Sequence, residues 1–175
     1  MRTLILLSAV PGSGKSTWAK KYQAAREHTF IVSSDDIREE LFGKAQDFRD
    51  EGLVWKTFQD RLNQYGAMYE DSTVIADATN LQNKYRKMYF DATPGFDKHI
   101  LVIFDIPFDI ARKQNKMRSK ERVVPEYAMD KLIAEWEDVS EEVKNLYDEV
   151  VYIRNFGTDI VRENLQSQFD EGKIK

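Results

Sequence analysis

No cysteine occurs among the 175 residues. Disulfides, thiolate nucleophiles and cysteine-bound zinc are excluded, and a reducing compartment such as the cytoplasm is the expected setting. Histidine is nearly absent as well. His28 falls in a loop-like stretch and His99 enters an apolar run, so both read as structural or surface residues. No apolar run is long enough to span a bilayer, and Leu4–Val10, broken by Pro11-Gly12, is too short for a signal peptide. No membrane partner is expected. Positive charge is in deficit: 26 Lys and Arg face 30 Asp and Glu, for a formal net charge of −4. That balance excludes a protein that coats nucleic acid indiscriminately, while leaving room for a local basic groove. Internal repeats, heptads and low-complexity linkers are missing too.

What is present is an alternation of short apolar runs with helix-like sequence. Strands are predicted at Thr3–Ser8, Thr29–Ser33, Thr73–Asp77, Ile100–Asp105 and Val150–Ile153. Helices are predicted from Lys15 to about Ala25, Asp35 to about Phe42, Leu53 to about Glu70, Asn83 to about Ala92, Asp109 to about Lys116, and Glu126 to about Tyr147. A short helix after Thr158 and a polar tail at 166–175 complete the chain. This order implies one α/β domain over residues 1–175, a three-layer α-β-α sandwich around a parallel sheet. The spacing of Leu53, Trp55, Phe58, Leu62, Tyr65, Met68 and Tyr69 reads as a core-facing helix stripe.

Directly after the first strand stands Ala9-Val10-Pro11-Gly12-Ser13-Gly14-Lys15-Ser16-Thr17, a phosphate-binding loop in which Ala9 replaces the usual first glycine. Gly12 and Gly14 let successive N–H groups turn inward at a helix N-terminus, where they cradle phosphate oxygens. The nucleotide-binding set is Pro11, Gly12, Ser13, Gly14, Lys15, Ser16 and Thr17. Lys15 reaches the β- and γ-phosphates of ATP, and the Ser16 hydroxyl holds Mg²⁺.

Ligands of an open parallel sheet bind beyond the carboxyl ends of its strands. Polar residues occupy each of those places here. Asp35, at a strand–helix junction, is either a general base toward an acceptor hydroxyl or a helix cap. Arg38, one turn on, either forks onto an acceptor phosphate or forms a surface pair with Asp35. Val74-Ile75-Ala76-Asp77 and Val102-Ile103-Phe104-Asp105 are both apolar strands ending in aspartate. Asp77, followed by Thr79 and Asn80, is the better candidate, either behind Mg²⁺ or, with Asn80, on the acceptor; Asp105 mainly turns the chain. Asp35 through water is another metal candidate. The basic stretch at 113–125 is either a lid carrying Arg118 and Arg122 to the transferring phosphate or a solvated face.

Taken together, Pro11 to Ala19, Asp35-Asp36-Ile37-Arg38, Asp77-Ala78-Thr79-Asn80-Leu81, and Asn115 through Arg118 and Arg122 to Val124-Pro125 resemble the kinase domain of phage-type polynucleotide 5′-hydroxyl kinases. The resemblance runs from about residue 1 to 152. It implies transfer of the ATP γ-phosphate to a DNA or RNA 5′-hydroxyl end, with Lys15 and Ser16 on triphosphate and Mg²⁺. It further implies Asp35 as base, Arg38 on the acceptor phosphate and a lid arginine, Arg118 or Arg122, on the donor. End repair would then draw on a separate phosphatase or ligase. Two other readings remain open: a small-molecule kinase for a nucleoside, sugar, antibiotic or nucleotide sugar, and an ATPase switch without an acceptor.

Overall fold

The computed structural model describes residues 1–154; the helix predicted after Thr158 and the polar tail lie outside the described residues. Five strands, β1 (Thr3–Ser8), β2 (Thr29–Ser33), β3 (Thr73–Asp77), β4 (Lys98–Asp105) and β5 (Glu149–Arg154), pair in the order β2-β3-β1-β4-β5, all parallel. The central strand β1 is buried along its whole length, as an unbroken apolar run in a two-sided parallel sheet must be. Side chains alternate across it. Leu4 and Leu6 join a core with Phe58, Leu62, Tyr89 and Val143, whereas Ile5 and Leu7 face Trp18, Ala19 and Tyr22. Helices therefore cover both faces, completing the three-layer sandwich.

Among the described residues seven helices do this: α1 (Lys15–Ala24), α2 (Ser34–Phe42), α3 (Glu51–Gly66), α4 (Asn83–Asp91), α5 (Phe108–Lys116), α6 (Glu126–Glu135) and α7 (Glu141–Leu146). The helix predicted over 126–147 is broken. Trp136 turns extended, the Glu137 N–H donates to the Leu81 carbonyl at 2.9 Å, and Ser140 caps α7 by accepting from Val143 N–H. A tertiary hydrogen bond thus interrupts what the local sequence permits as one helix. Helix α3 ends at Gly66, before Met68 and Tyr69, which are exposed along with Leu53. Only part of the predicted stripe, Phe58 and Leu62 above all, is core. Tyr69 instead stacks on His28, whose ring is bonded to Asp71. His99 lies near the start of β4 against Thr93, where burial holds its pKa below the usual histidine value. Both histidines sit near the amino-terminal ends of strands, away from the rim where ligands bind.

The least foreseeable element is Arg86 of α4, fully buried. It donates to the Ser8 hydroxyl at 3.0 Å, to the Asn80 and Leu81 carbonyls at 3.2 Å each, and to Asn83 Oδ1 at 2.9 Å. Among the described residues no carboxylate pairs with it, and burial lowers its pKa to about 10. The guanidinium thus ties the end of β1 to the loop after β3, the two segments that lead into the rim. Arg86→Met is expected to lower the free energy of unfolding by about 2–4 kcal/mol, since several buried acceptors at roughly 1 kcal/mol each lose their donor. Urea denaturation measures this. A loss below about 0.5 kcal/mol would mean that desolvation of the charge cancels its hydrogen bonds.

Candidate active site

The loop between β1 and α1 is shaped by two glycines in the left-handed region, Gly12 at φ 84° and Gly14 at φ 86°. Gly14 is the N-cap of α1 and offers no side chain, so the first N–H groups of the helix remain open to an anion. Ser13 Oγ donates to the Val10 carbonyl at 2.8 Å and holds the loop from inside. Ala9 needs no glycine freedom. It is fully buried, outside the positive-φ residues, and its N–H donates to the Thr79 carbonyl.

Ser16 Oγ donates to Asp77 Oδ2 at 2.9 Å, while Asp77 Oδ1 is buried without a partner. Burial raises the Asp77 pKa, opposed by the Lys15 charge and the Ser16 hydrogen bond. An orphaned carboxylate oxygen beside a hydroxyl is a hard donor set that suits Mg²⁺. No cluster of three or more metal-binding side chains exists among the described residues. Magnesium would therefore be shared between Ser16, with Asp77 behind it, and the phosphates of the nucleotide, the usual arrangement for this ion. Asp105 is exposed, ends β4 and pairs with Arg154, its neighbour on β5, so it is a strand residue and not a turn. Asn80 departs from its predicted place at the acceptor: its amide donates inward to the Leu7 carbonyl at 2.9 Å, and its φ of 46° bends the loop. Its work is to hold strand ends together.

Ser33, not Asp35 or Asp36, caps α2, accepting from the Asp36 N–H. Asp35 is thereby free for side-chain contacts, and three arginines approach it: Arg38 at 3.1 Å, Arg118 at 3.5 Å and Arg122 at 3.8 Å. Arg38 is no surface pair. Its side chain is buried, forked onto Glu51 at 3.0 and 2.7 Å, with its guanidinium carbon 4.9 Å from the Phe48 ring centre and 5.4 Å from that of Trp55. Glu51 carries no local signal in the sequence, since it lies thirteen residues from Arg38.

The basic stretch divides in two. Just before it Arg112 pairs with Glu126 and Asp130, and within it Lys116 pairs with Glu126 at 3.4 Å, on the outside, as a solvated face would. Arg118 and Arg122 turn inward instead. Arg122 also pairs with Asp36 at 2.9 Å and with Glu39, and the Gln46 amide donates to the Arg122 and Val123 carbonyls at 3.2 and 2.8 Å. Buried Asn115 closes the far end by exchanging two hydrogen bonds with Val124.

Two cavities meet here. One of about 290 Å³ is lined by Gly12, Gly14, Ser16, Thr17 and Met117; the other, about 460 Å³, by Asp35, Arg38, Phe48, Trp55 and Tyr127. Lys15 and Arg118 line both, so the two cations stand where the cavities meet.

Residues 4–143 match the family described as AAA domain. The chain belongs to that family. Solved structures similar to this AAA domain include Chaetomium thermophilum Kti12 in complex with ADP-AlF3, at TM-score 0.71 and 14% identity over 95% of this chain and 97% of that one. A fungal RNA kinase follows at TM-score 0.69 and 17% identity, covering 97% and 84%. A gluconokinase from Sinorhizobium meliloti 1021 reaches TM-score 0.62 at 19% identity, covering 98% and 94%. The AAA domain thus has the P-loop kinase fold. No helix among its described residues is long and apolar enough to cross a membrane.

If Asp77 stands behind the metal, Asp77→Asn keeps the Ser16 contact but loses the negative charge. The AAA domain should then show Mg²⁺-dependent nucleotide affinity weakened by about 10- to 100-fold. Titration of a fluorescent ATP analogue with and without Mg²⁺ measures it; equal affinity in both proteins would remove Asp77 from the metal site.

Proposed function

We propose that this AAA domain transfers the γ-phosphate of ATP to the 5′-hydroxyl of DNA or RNA. The observation that carries the reading is Asp35, held by Arg38 in the larger cavity and contacted by Arg118, which also lines the phosphate-loop cavity. A hydroxyl entering the larger cavity gives its proton to the Asp35 carboxylate while its oxygen bonds to the γ-phosphorus. The bond from that phosphorus to the β–γ bridging oxygen breaks, and ADP leaves. Lys15 and Arg118 offset the charge on the migrating group. Ser16, with Asp77 behind it, would hold Mg²⁺, which when bound neutralises charge on the donor phosphates.

A polynucleotide acceptor is favoured by Arg38. A guanidinium has five N–H donors, and Glu51 and Asp35 engage three of them, leaving one on each terminal nitrogen for a phosphate. A protein with the same fold, at 17% identity, is a fungal RNA kinase. A second reading, a small-molecule kinase, is favoured by charge and size. Lys15, Arg38, Arg118 and Lys131 are balanced around the acceptor cavity by Asp35, Glu51, Asp77 and Glu135, and about 460 Å³ suits a compact ligand.

Transfer from labelled ATP separates the readings. The expected acceptors are 5′-hydroxyl DNA or RNA, with nucleosides and sugars much poorer; the reverse ranking favours the small-molecule kinase, and phosphate release without any labelled acceptor favours a switch. Asp35→Asn should lower transfer by about 10²-fold or more with little change in ATP affinity. An unchanged rate would remove Asp35 as the base.

A further inference from the structure

Between α2 and α3, the segment 43–50 carries Phe48, an aromatic ring that is 57% exposed although it lines the acceptor cavity. A single exposed ring is ordinary on a protein surface. Phe48 is set apart by what lies behind it. The Arg38 guanidinium carbon stands over the ring at 4.9 Å, and Arg38 is itself only 6% exposed. One face of Phe48 is therefore covered, so its exposure belongs to the other face and the edge. Behind Arg38 stands Trp55, 5.4 Å from the same guanidinium carbon. The carboxylates of Glu51 and Asp35 take the edge of the guanidinium and fix its orientation. The Arg38 guanidinium thus lies against the rings of both Trp55 and Phe48 on the cavity wall, and Phe48 is the more exposed of the two.

We infer that Phe48 is the platform on which the base of the acceptor's terminal nucleotide stacks. This rests on the polynucleotide reading above and names how its substrate is held. A 5′-terminal nucleotide presents a hydroxyl, a phosphate and a planar base within the span of one residue. Asp35, Arg38 and Phe48 offer a proton acceptor, two spare N–H donors and an open ring face in continuous contact. Every base has a π-face, so the platform accepts all four and confers no base preference. The neutral balance of charge around the cavity makes stacking more important, because the walls supply no excess positive charge for a polyanion. Phe48 is a binding residue in this account; Asp35 remains the only base.

The experiment is a cycle between protein and substrate. Transfer to a 5′-hydroxyl oligonucleotide ending in adenine is compared with transfer to the same strand ending in an abasic sugar, using the parent chain, Phe48→Ala and Phe48→Trp. In the parent chain the abasic end should have a KM raised by about tenfold or more. Phe48→Ala should raise the KM of the adenine end by the same factor and add nothing at the abasic end, while Phe48→Trp restores the low KM. An equal rise for both ends would assign Phe48 a purely structural role through Arg38, and no rise for either would leave it outside the acceptor site; each overturns the platform while transfer to 5′-hydroxyl ends persists. Failure of the parent chain to phosphorylate any 5′-hydroxyl end is a different result and overturns the polynucleotide reading itself.

Discussion

The carbonyl oxygen of Ala111 rests where a side chain of residue 12 would have to be. A Cβ built on Gly12 would lie 2.1 Å from that oxygen and 2.8 Å from the Asn115 nitrogen, both backbone atoms that cannot swing aside. The missing side chain lets α5 pack directly on the phosphate loop. Everything on the donor side follows from this contact. Helix α5 ends at Lys116, two residues before Arg118, and Asn115 ties its last turn to Val124. The segment 113–125 is thus anchored at both ends beside the phosphate loop, and Arg118 lines the same cavity as that loop.

On the acceptor side the organising feature is electrostatic. A chain with net negative charge gathers Arg38, Arg118 and Arg122 around the single carboxylate of Asp35. Such crowding of cations is sustained by further acids, Glu51 on Arg38 and Asp36 with Glu39 on Arg122. The partly exposed pairs of Arg122 contribute little to stability. Their consequence is positional: they aim guanidinium groups, whose planar forks hold direction better than a lysine would, into the space between two cavities.

The fold alone leaves the acceptor open. Kti12, a fungal RNA kinase and a gluconokinase all share it at 14–19% identity. Substrate choice must therefore reside in the segments that differ in side chains and not in the sheet. In this chain the segment 43–50 lines the larger cavity, and Gln46 joins it to the segment 113–125 through two hydrogen bonds to the Arg122 and Val123 carbonyls. The wall of the larger cavity and the segment 113–125 are one connected surface.

The alternation of apolar runs and helix-like stretches determined the parallel sheet, because strand and helix periodicities are local properties of the chain. The phosphate loop was equally legible, since all of its groups fall within nine consecutive residues ending in the first turn of α1. Asp35 and Asp77 were legible as residues at the rim, and the structure places both there, but the roles left open in the sequence needed geometry. The sequence already ranked Asp77 above Asp105, and the contact with Ser16 gave that ranking a physical partner, while only the Ser33 cap released Asp35 from a capping role. Tertiary structure alone decided the rest. Arg38 meets Glu51 across 13 residues, Gln46 meets the lid across 76, Arg86 meets Ser8 across 78, and Arg118 meets Asp35 across 83. The break between α6 and α7 has the same origin, a hydrogen bond from Glu137 to the distant Leu81. A repeat or a motif betrays itself within a few residues, whereas partners separated by dozens of residues leave no spacing to read, and they become neighbours only when the sheet brings its strand ends to one rim.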